Sequence, residues 1–586
     1  MRYHGTANQR RSTYSALAAM AFAVPAILPL TAHAQAVAGV PTRDELKGIT
    51  QPAPEARPEL KISGGIERSP CALADPRFAT ITVTINSVDF HGLKEVSAEE
   101  LAPAWQPFAG KPQPVSVICE IRDAAATILR EKGYLAAVEV PTQRIENGYV
   151  RLEVLYARVT AIRARGETRG AEAKLEDYLG RLTQDEVFNR YRAERYLLLA
   201  RDLPGYNVQL TLKPAGTGPG DLVGEVTVLR RPYVLDFTVQ NLAAEATGRW
   251  GGQLRAQVFG LTGMGDVTSL SYYATSDFRE QHIVQASHEF RPGSEGLAIG
   301  GQFTYAWTRP DIGATGGAAL DARTLFASLY ARYPVRRSQG ENLWVAGGFD
   351  LANQDVGFIG PLTRDKLRVL WAKLDFDAID LRHRAPRWRV SGTVELRQGL
   401  DALGATRTCV GLGCPVGAIP TSRFDGSPGA SVIQAEGDLE VSPGAGIAFA
   451  LQPRAQYAFK PLLSFEEFAA GNYTLGRGYD PGTLTGDSGL GAAFEVRGPR
   501  FDLRKGSDAM VQPYAFFDAA WVWNKGTSGA QRLTSAGAGL RSAWSDRFRL
   551  DANIAVPLEA TGLQTRRPPV RFLVSLTTRL LPWGIN

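Results

Sequence analysis

Beyond residue 231 the chain is built from short stretches in which every second residue is apolar. In Arg547–Leu558, Phe548, Leu550, Ala552, Ile554 and Val556 share one face, and Arg549, Asp551 and Asn553 share the other. Trp388, Val390, Val394 and Leu396 likewise oppose Arg389, Ser391, Thr393, Glu395 and Arg397. In the last stretch Phe572, Val574, Leu576 and Leu580 oppose Arg571, Ser575, Thr577 and Arg579. A period of two is the period of a β-strand. A face this densely charged is awkward inside a soluble sandwich, but it suits the wet lumen of a membrane barrel whose apolar face meets lipid. The segments number about sixteen, an even count, and short turns such as Leu261–Asp266 alternate with longer connections. The pattern therefore predicts a mainly β protein whose residues 231–586 form a 16-stranded antiparallel transmembrane β-barrel.

The period changes upstream. Ile81–Phe90 alternates like a strand, and Ser97 followed by Glu100 is a capping box. Val117, Ile118, Ile121, Ala124, Ala125, Ile128 and Leu129 form a helical stripe, and two strands close the unit near residue 156. The same order returns between 157 and 230, so residues 79–156 and 157–230 are read as two copies of a small α+β domain. Residues 35–78 are rich in proline. Pro41–Lys47 can start a short helix, a possible plug, and Pro52, Pro54 and Pro58 make the remainder a linker.

The first 34 residues carry Arg2, Arg10 and Arg11, then an apolar run and a small-x-small ending at Ala32–Ala34. That is a secretory signal peptide with cleavage expected after Ala34. No later apolar run is long enough for a membrane-spanning helix, so an exported chain of this kind enters a membrane only as a closed barrel.

Charge and cysteine usage narrow the function. The net charge of +6 comes from 65 basic and 59 acidic residues without a long basic block, which gives no support for nucleic-acid binding. Four cysteines suit an oxidising compartment and fall into two candidate disulfides, Cys71 with Cys119 and Cys409 with Cys414. The close pair has no histidine or second cysteine pair beside it, so no metal site is expected. "TGDSGLG" around Ser488 looks like a protease nucleophile loop, but no histidine has a catalytic setting and Leu490 replaces the second glycine. No phosphate-binding loop or metalloprotease helix appears either, so neither an enzyme nor a cofactor is expected.

The chemistry left is structural. "TLGRGYDPG", residues 474–482, sets Arg477 and Tyr479 among Gly476, Gly478 and Gly482, whose slim backbone lets a loop thread inward. If strand one starts on the inner side, the cysteine pair Cys409 and Cys414 lies in the fifth outer loop and Arg477 in the sixth. In strand thirteen, with Phe517, Trp521 and Trp523 towards lipid, Asp518 faces the lumen. Arg477 could pair with Asp518, or each charge could be solvated separately; spacing leaves both open.

These features together resemble the two-partner secretion transporters, the TpsB or haemolysin secretion/activation family of the outer-membrane POTRA-barrel superfamily. Three segments carry the resemblance: Arg130–Ile162 and Arg195–Val228, similar to the ends of two POTRA domains, and Asn472–Arg497, similar to the family's signature loop. The resemblance implies that Arg477, Gly478 and Tyr479 form the signature core and that Asp518 is the acidic partner that fixes the loop inside the barrel. Gly476 stands where the family usually has valine, which implies a freer backbone. It also implies a protein of the outer membrane of a Gram-negative bacterium, monomeric, in contact with outer-membrane lipids, with its POTRA domains in the periplasm. Its activity would be ATP-independent secretion of a TpsA-type partner: an adhesin, hemolysin or contact-dependent toxin. An outer-membrane insertase of the BamA type is the alternative, and it predicts more POTRA units than two.

Overall fold

In a computed structural model the described residues are 40–50, 62–63, 70–311, 319–383, 385–407, 417–503, 508–561 and 565–582. The signal peptide and its cleavage site at Ala34 lie outside them.

The first α+β unit forms because one helix has a continuous apolar stripe. Helix Val117–Glu131 turns Ile118, Ile121 and Leu129 onto a three-stranded sheet that supplies Val150 and Leu152, and all five are fully buried. Gly133, at φ +89°, ends the helix in the left-handed region that glycine tolerates best. In the sheet, Tyr149–Tyr156 lies between Ser87–His91, parallel to it, and Ala136–Glu139, antiparallel to it. The stretch Ile81–Phe90, expected as one strand, is split. Thr82–Thr84 pairs with Pro112–Pro114, and Asn86 then donates its backbone N–H to Gly148 and redirects the chain into the main sheet.

In the second unit, helices Glu172–Gly180 and Arg190–Arg201 cover a sheet ordered Tyr206–Pro214, Asp221–Arg230, Arg158–Gly166. The units are joined tightly. Leu135 and Ala157 bond to the chain around Phe188, and Asn189 caps the helix that starts at Arg190 while donating to the Lys132 carbonyl at 3.1 Å.

The barrel strands are β1 (Tyr233–Gln240), β2 (Gly251–Phe259), β3 (Val267–Thr275), β4 (Gln281–Phe290), β5 (Ala298–Thr308), β6 (Leu320–Arg337), β7 (Glu341–Phe358) and β8 (Gly360–Ile379). They continue as β9 (Trp388–Gly399), β10 (Ser431–Gly444), β11 (Ile447–Ala458), β12 (Ser488–Arg497, extended by Phe501–Asp502), β13 (Ala509–Trp523), β14 (Gln531–Trp544), β15 (Phe548–Pro557) and β16 (Arg571–Leu581). Every neighbour pairs antiparallel, and β1 pairs with β16 from Leu235–Leu581 to Gln240–Ser575, which closes the sheet and leaves no edge. The predicted faces hold: Phe572, Ile554 and Leu396 point outward and are exposed, while Arg571, Glu395 and Arg397 are buried inside. Among the described residues no helix is long and apolar enough to cross a membrane. The strands do the crossing, as their two-sided pattern requires.

Connections after even-numbered strands face the α+β units, and the second unit docks on them. Lys174 donates to the Gly293 carbonyl at 2.8 Å, and Arg337, at the end of β6, binds Asp202 in a fork at 2.7 and 2.8 Å. Connections after odd-numbered strands form the far rim.

Candidate functional site

The connection between β11 and β12, residues 459–487, does not project from the far rim. It turns back into the barrel, and its tip contains Arg477. The Arg477 side chain donates from Nε and Nη2 to the two oxygens of Asp518 on β13, at 3.1 and 2.7 Å, and its backbone N–H donates to the same carboxylate at 2.9 Å. Nη1 reaches Glu495 on β12 at 2.7 Å, and the guanidinium carbon stands 3.6 Å over the ring of Phe516. Asp518 is 1% exposed, and this planar, two-point contact plus ring stacking is the arrangement for which a guanidinium is suited and an ammonium is not. Of the two readings left open by spacing, the geometry is that of the pair.

The sequence pattern does not single out Glu495. It also accepts from Arg541 on β14 twice, at 2.8 Å each, and from Arg497 at 2.9 Å, so three arginines share one buried carboxylate. Arg541 continues to Asp551 on β15 at 2.9 Å, where the Tyr514 hydroxyl also donates at 2.6 Å. A signal is present in the alternation of β12, where Glu495 and Arg497 occupy the polar face. Alternation marks the face, however, and does not say which lumen charge meets the loop.

The neighbours of Arg477 seat the loop by shape. Tyr479 is fully buried; its hydroxyl donates towards the carbonyls of Thr534 and Glu559 and accepts from the Glu559 N–H. Arg571, on the last strand, donates to the Tyr479 carbonyl and pairs with Asp480 at 2.9 Å, and Arg249 pairs with Asp480 from the first far-rim connection, also at 2.9 Å. Gly476 sits at φ +106°, and a Cβ there would stand 2.4 Å from Leu533 Cδ1. The glycine is thus demanded by the seat; extra backbone freedom is not what it supplies. A Cβ on Gly478 would meet the backbone of Pro557 at 2.8 Å, and one on Gly482 the carboxylate of Glu45 at the same distance.

Glu45 belongs to a helix, α1 (Arg43–Thr50), that stands inside the barrel. The sequence predicts a possible plug at Pro41–Lys47, and a helix forms there, shifted towards the C-terminus by the exclusion of Pro41. Leu46 and Ile49 pack among Tyr273, Ile283, Leu367 and Phe465. Arg43 pairs with Glu395 of β9 at 3.2 Å and donates to Gln434, while Asp44 pairs with Arg454 of β11 at 2.9 Å. Glu395 also accepts from Arg397 at 2.6 Å, and Arg397 forks onto Glu466 in the stem of the inward loop at 2.9 and 3.0 Å. Gly48 lies against Tyr473 of the same loop. Helix and loop thus pack as one body inside the lumen. Beside them remains a polar cavity of about 960 Å³ bordered by Lys47, Arg255, Gln285, Glu436 and Tyr473.

Two further features lie outside the barrel. Cys71 and Cys119 are joined in a disulfide that ties the chain entering the first unit to its helix. Cys409 and Cys414 lie outside the described residues. Ile62–Ser63, between α1 and the first unit, adds a parallel strand to Tyr206–Pro214, with Ile62 opposite Leu210. Nothing in the local sequence points to that pairing.

Comparison with known proteins fits this arrangement. Residues 366–542 match the family described as haemolysin secretion/activation protein ShlB/FhaC/HecB, and residues 83–156 match the ShlB-type POTRA domain. The Heme/hemopexin transporter protein HuxB of Haemophilus influenzae is 24% identical over 233 residues, which span 38% of this chain and 40% of that protein. Among solved structures, CdiB from Escherichia coli superposes with a TM-score of 0.70 at 16% identity, covering 88% of this chain and 94% of that one. CdiB from Acinetobacter baumannii gives 0.62 at 17%, covering 88% and 91%. At such identities the structures speak for the fold, and the sequence matches cover part of the barrel and the first α+β unit. Over part of its barrel and over its first α+β unit the chain is thus similar to the haemolysin secretion/activation proteins of the ShlB/FhaC/HecB type, and the whole has the fold of a POTRA-type β-barrel with the loop that holds Arg477 turned inward.

Proposed function

We propose that the protein secretes one large partner protein, of the TpsA type, across the outer membrane of a Gram-negative bacterium by two-partner secretion and without ATP. The observation that carries this reading is a lumen occupied by two pieces, α1 and the inward loop, whose ion pairs and hydrogen bonds to the wall accompany two small apolar clusters, one around Leu46 and Ile49 and one around Phe468 and Leu475. The polar contacts can be exchanged for water or for an entering polar chain at little net cost, so displacement has only the small apolar clusters to overcome.

The two POTRA domains stand in the periplasm in this reading and receive the partner's amino-terminal domain in extended form. Strand addition is the expected mode, since sheet edges offer unpaired backbone groups. One such edge, Tyr206–Pro214, is occupied by Ile62–Ser63, so an arriving strand competes with the segment that leads to α1. Folding of the partner outside then makes transport one-way. The partner is read as an adhesin, hemolysin or contact-dependent toxin, and the transporter as a monomer without enzymatic activity.

Deleting residues 79–230 tests the mechanism. Secretion is expected to stop while the barrel still inserts and keeps its heat-modifiable migration. Export of the partner by the truncated protein would overturn the docking step.

A further inference from the structure

Where the second α+β unit meets the barrel there is a cavity of about 530 Å³ whose lining includes Arg181, Arg192, Arg195, Arg336 and Arg337. Only two carboxylates, Asp185 and Glu194, share that lining, and both have other work: Asp185 pairs with Arg192 at 3.2 Å and Glu194 accepts the backbone N–H of Gln339. Arg337 is committed to Asp202. Arg181 and Arg195 share Glu295 at stretched distances of 3.4 and 3.8 Å, and Arg336 contacts Glu341 at 3.0 Å with 66% of its own side chain in solvent. Pairs this long or this exposed are weak, so three guanidinium groups remain able to take a stronger anion.

The cavity is continuous with the lipid-facing wall. On β6 the outward residues Leu329, Tyr333 and Val335 are 68%, 38% and 50% exposed, and Val335 lines the cavity beside Arg336. Arg195, from the helix beneath, reaches up to the Tyr333 hydroxyl at 3.4 Å, so the basic cluster sits at the level where the outward face changes from apolar to polar. A strip for acyl chains that ends in an aromatic ring and then arginines matches one chemical class, a phospholipid with an anionic headgroup.

We propose that this cavity binds the phosphate headgroup of an anionic phospholipid from the leaflet on the side of the α+β units, with acyl chains along β6. The bound lipid bridges Arg195 of the second unit to Arg336 of the barrel and so steadies one against the other. The site is independent of whatever the barrel transports.

The test is native mass spectrometry of the full-length protein with equimolar phosphatidylglycerol and phosphatidylethanolamine, for the wild type and for Arg195→Gln/Arg336→Gln. The wild type should retain phosphatidylglycerol preferentially, and the double variant should lose that preference by roughly fivefold or more, the effect expected from removing a basic residue at an anionic surface. Arg195→Lys/Arg336→Lys should retain most of it, which separates charge from damage to the fold; heat-modifiable migration checks the barrel in each case. Equal retention of the two lipids by the wild type, or undiminished preference in the glutamine variant, would overturn the proposal. So would a thermal shift with inorganic phosphate alone equal to that with phosphatidylglycerol, since the site would then be one for a soluble anion.

Discussion

Arg477 and Asp518 stand 41 residues apart in the chain and meet through three hydrogen bonds, one from the backbone and two from the guanidinium, with the Phe516 ring as the floor. The backbone bond matters as much as the charge, because it ties the loop's main chain, and not only a flexible side chain, to the barrel wall.

Charge reversal at either position should therefore release the loop. Arg477→Asp leaves three carboxylates facing one another, and Asp518→Arg sets two guanidinium groups together. Each should cost the seated state about 3 kcal/mol or more and sharply lower secretion of the partner. The double swap should restore secretion only in part, because the carboxylate introduced at position 477 would still confront Glu495. Full rescue would mean that Glu495 plays no part, and no rescue would mean that the pair does not govern transport.

Substitution of the three loop glycines by alanine should damage the seat in a fixed order. Gly478→Ala is worst, because the new methyl meets the immovable backbone of Pro557. Gly476→Ala follows, with a left-handed backbone cost of about 1–2 kcal/mol and a buried leucine to displace. Gly482→Ala is mildest, since it meets only the movable end of Glu45, although its φ of +65° still carries the backbone cost. Proteolysis at Arg477 in the folded barrel measures the order.

Removal of residues 40–50 should open the lumen and raise single-channel conductance in planar bilayers. Arg43→Ala with Asp44→Ala should give intermittent openings of the same size, since Leu46 and Ile49 still hold α1 against the wall. An unchanged conductance in the deletion would show that the inward loop alone closes the barrel.

Cys71→Ser should destabilise the first α+β unit by about 2–4 kcal/mol, because the crosslink closes a loop of 48 residues in the unfolded chain. Dithiothreitol should lower the unfolding temperature of the first α+β unit in the wild type and leave that of the same unit in the variant unchanged.

The barrel was legible in the sequence because each strand carries its own period-two pattern, and a lipid-facing strand obeys that rule over its whole length. The two α+β units were legible for the same local reason, as was the inward direction of Asp518. What lay beyond reach were contacts decided by the assembled wall: Glu495 shared by three arginines, Arg397 bridging Asp350, Glu395 and Glu466, and the addition of Ile62–Ser63 to a strand more than a hundred residues away in the chain. Gly476 shows the limit from the other side. Its departure from the usual valine suggested looseness, whereas its backbone angle and the nearness of Leu533 make it a fitted part.

The contacts that seat the tip around Arg477, Tyr479 and Asp480 draw chiefly on β12 to β16, the last strands of the chain, with Arg571 of β16 among them, and otherwise on Glu245 and Arg249 in the connection after β1. The loop itself comes earlier, between β11 and β12. During biogenesis it therefore has nowhere to settle until the C-terminal strands have been delivered and closed onto β1. The seated loop is in effect a report that the final strand has arrived, and a chain cut short near its end would carry an unanchored tip that quality-control proteases can reach.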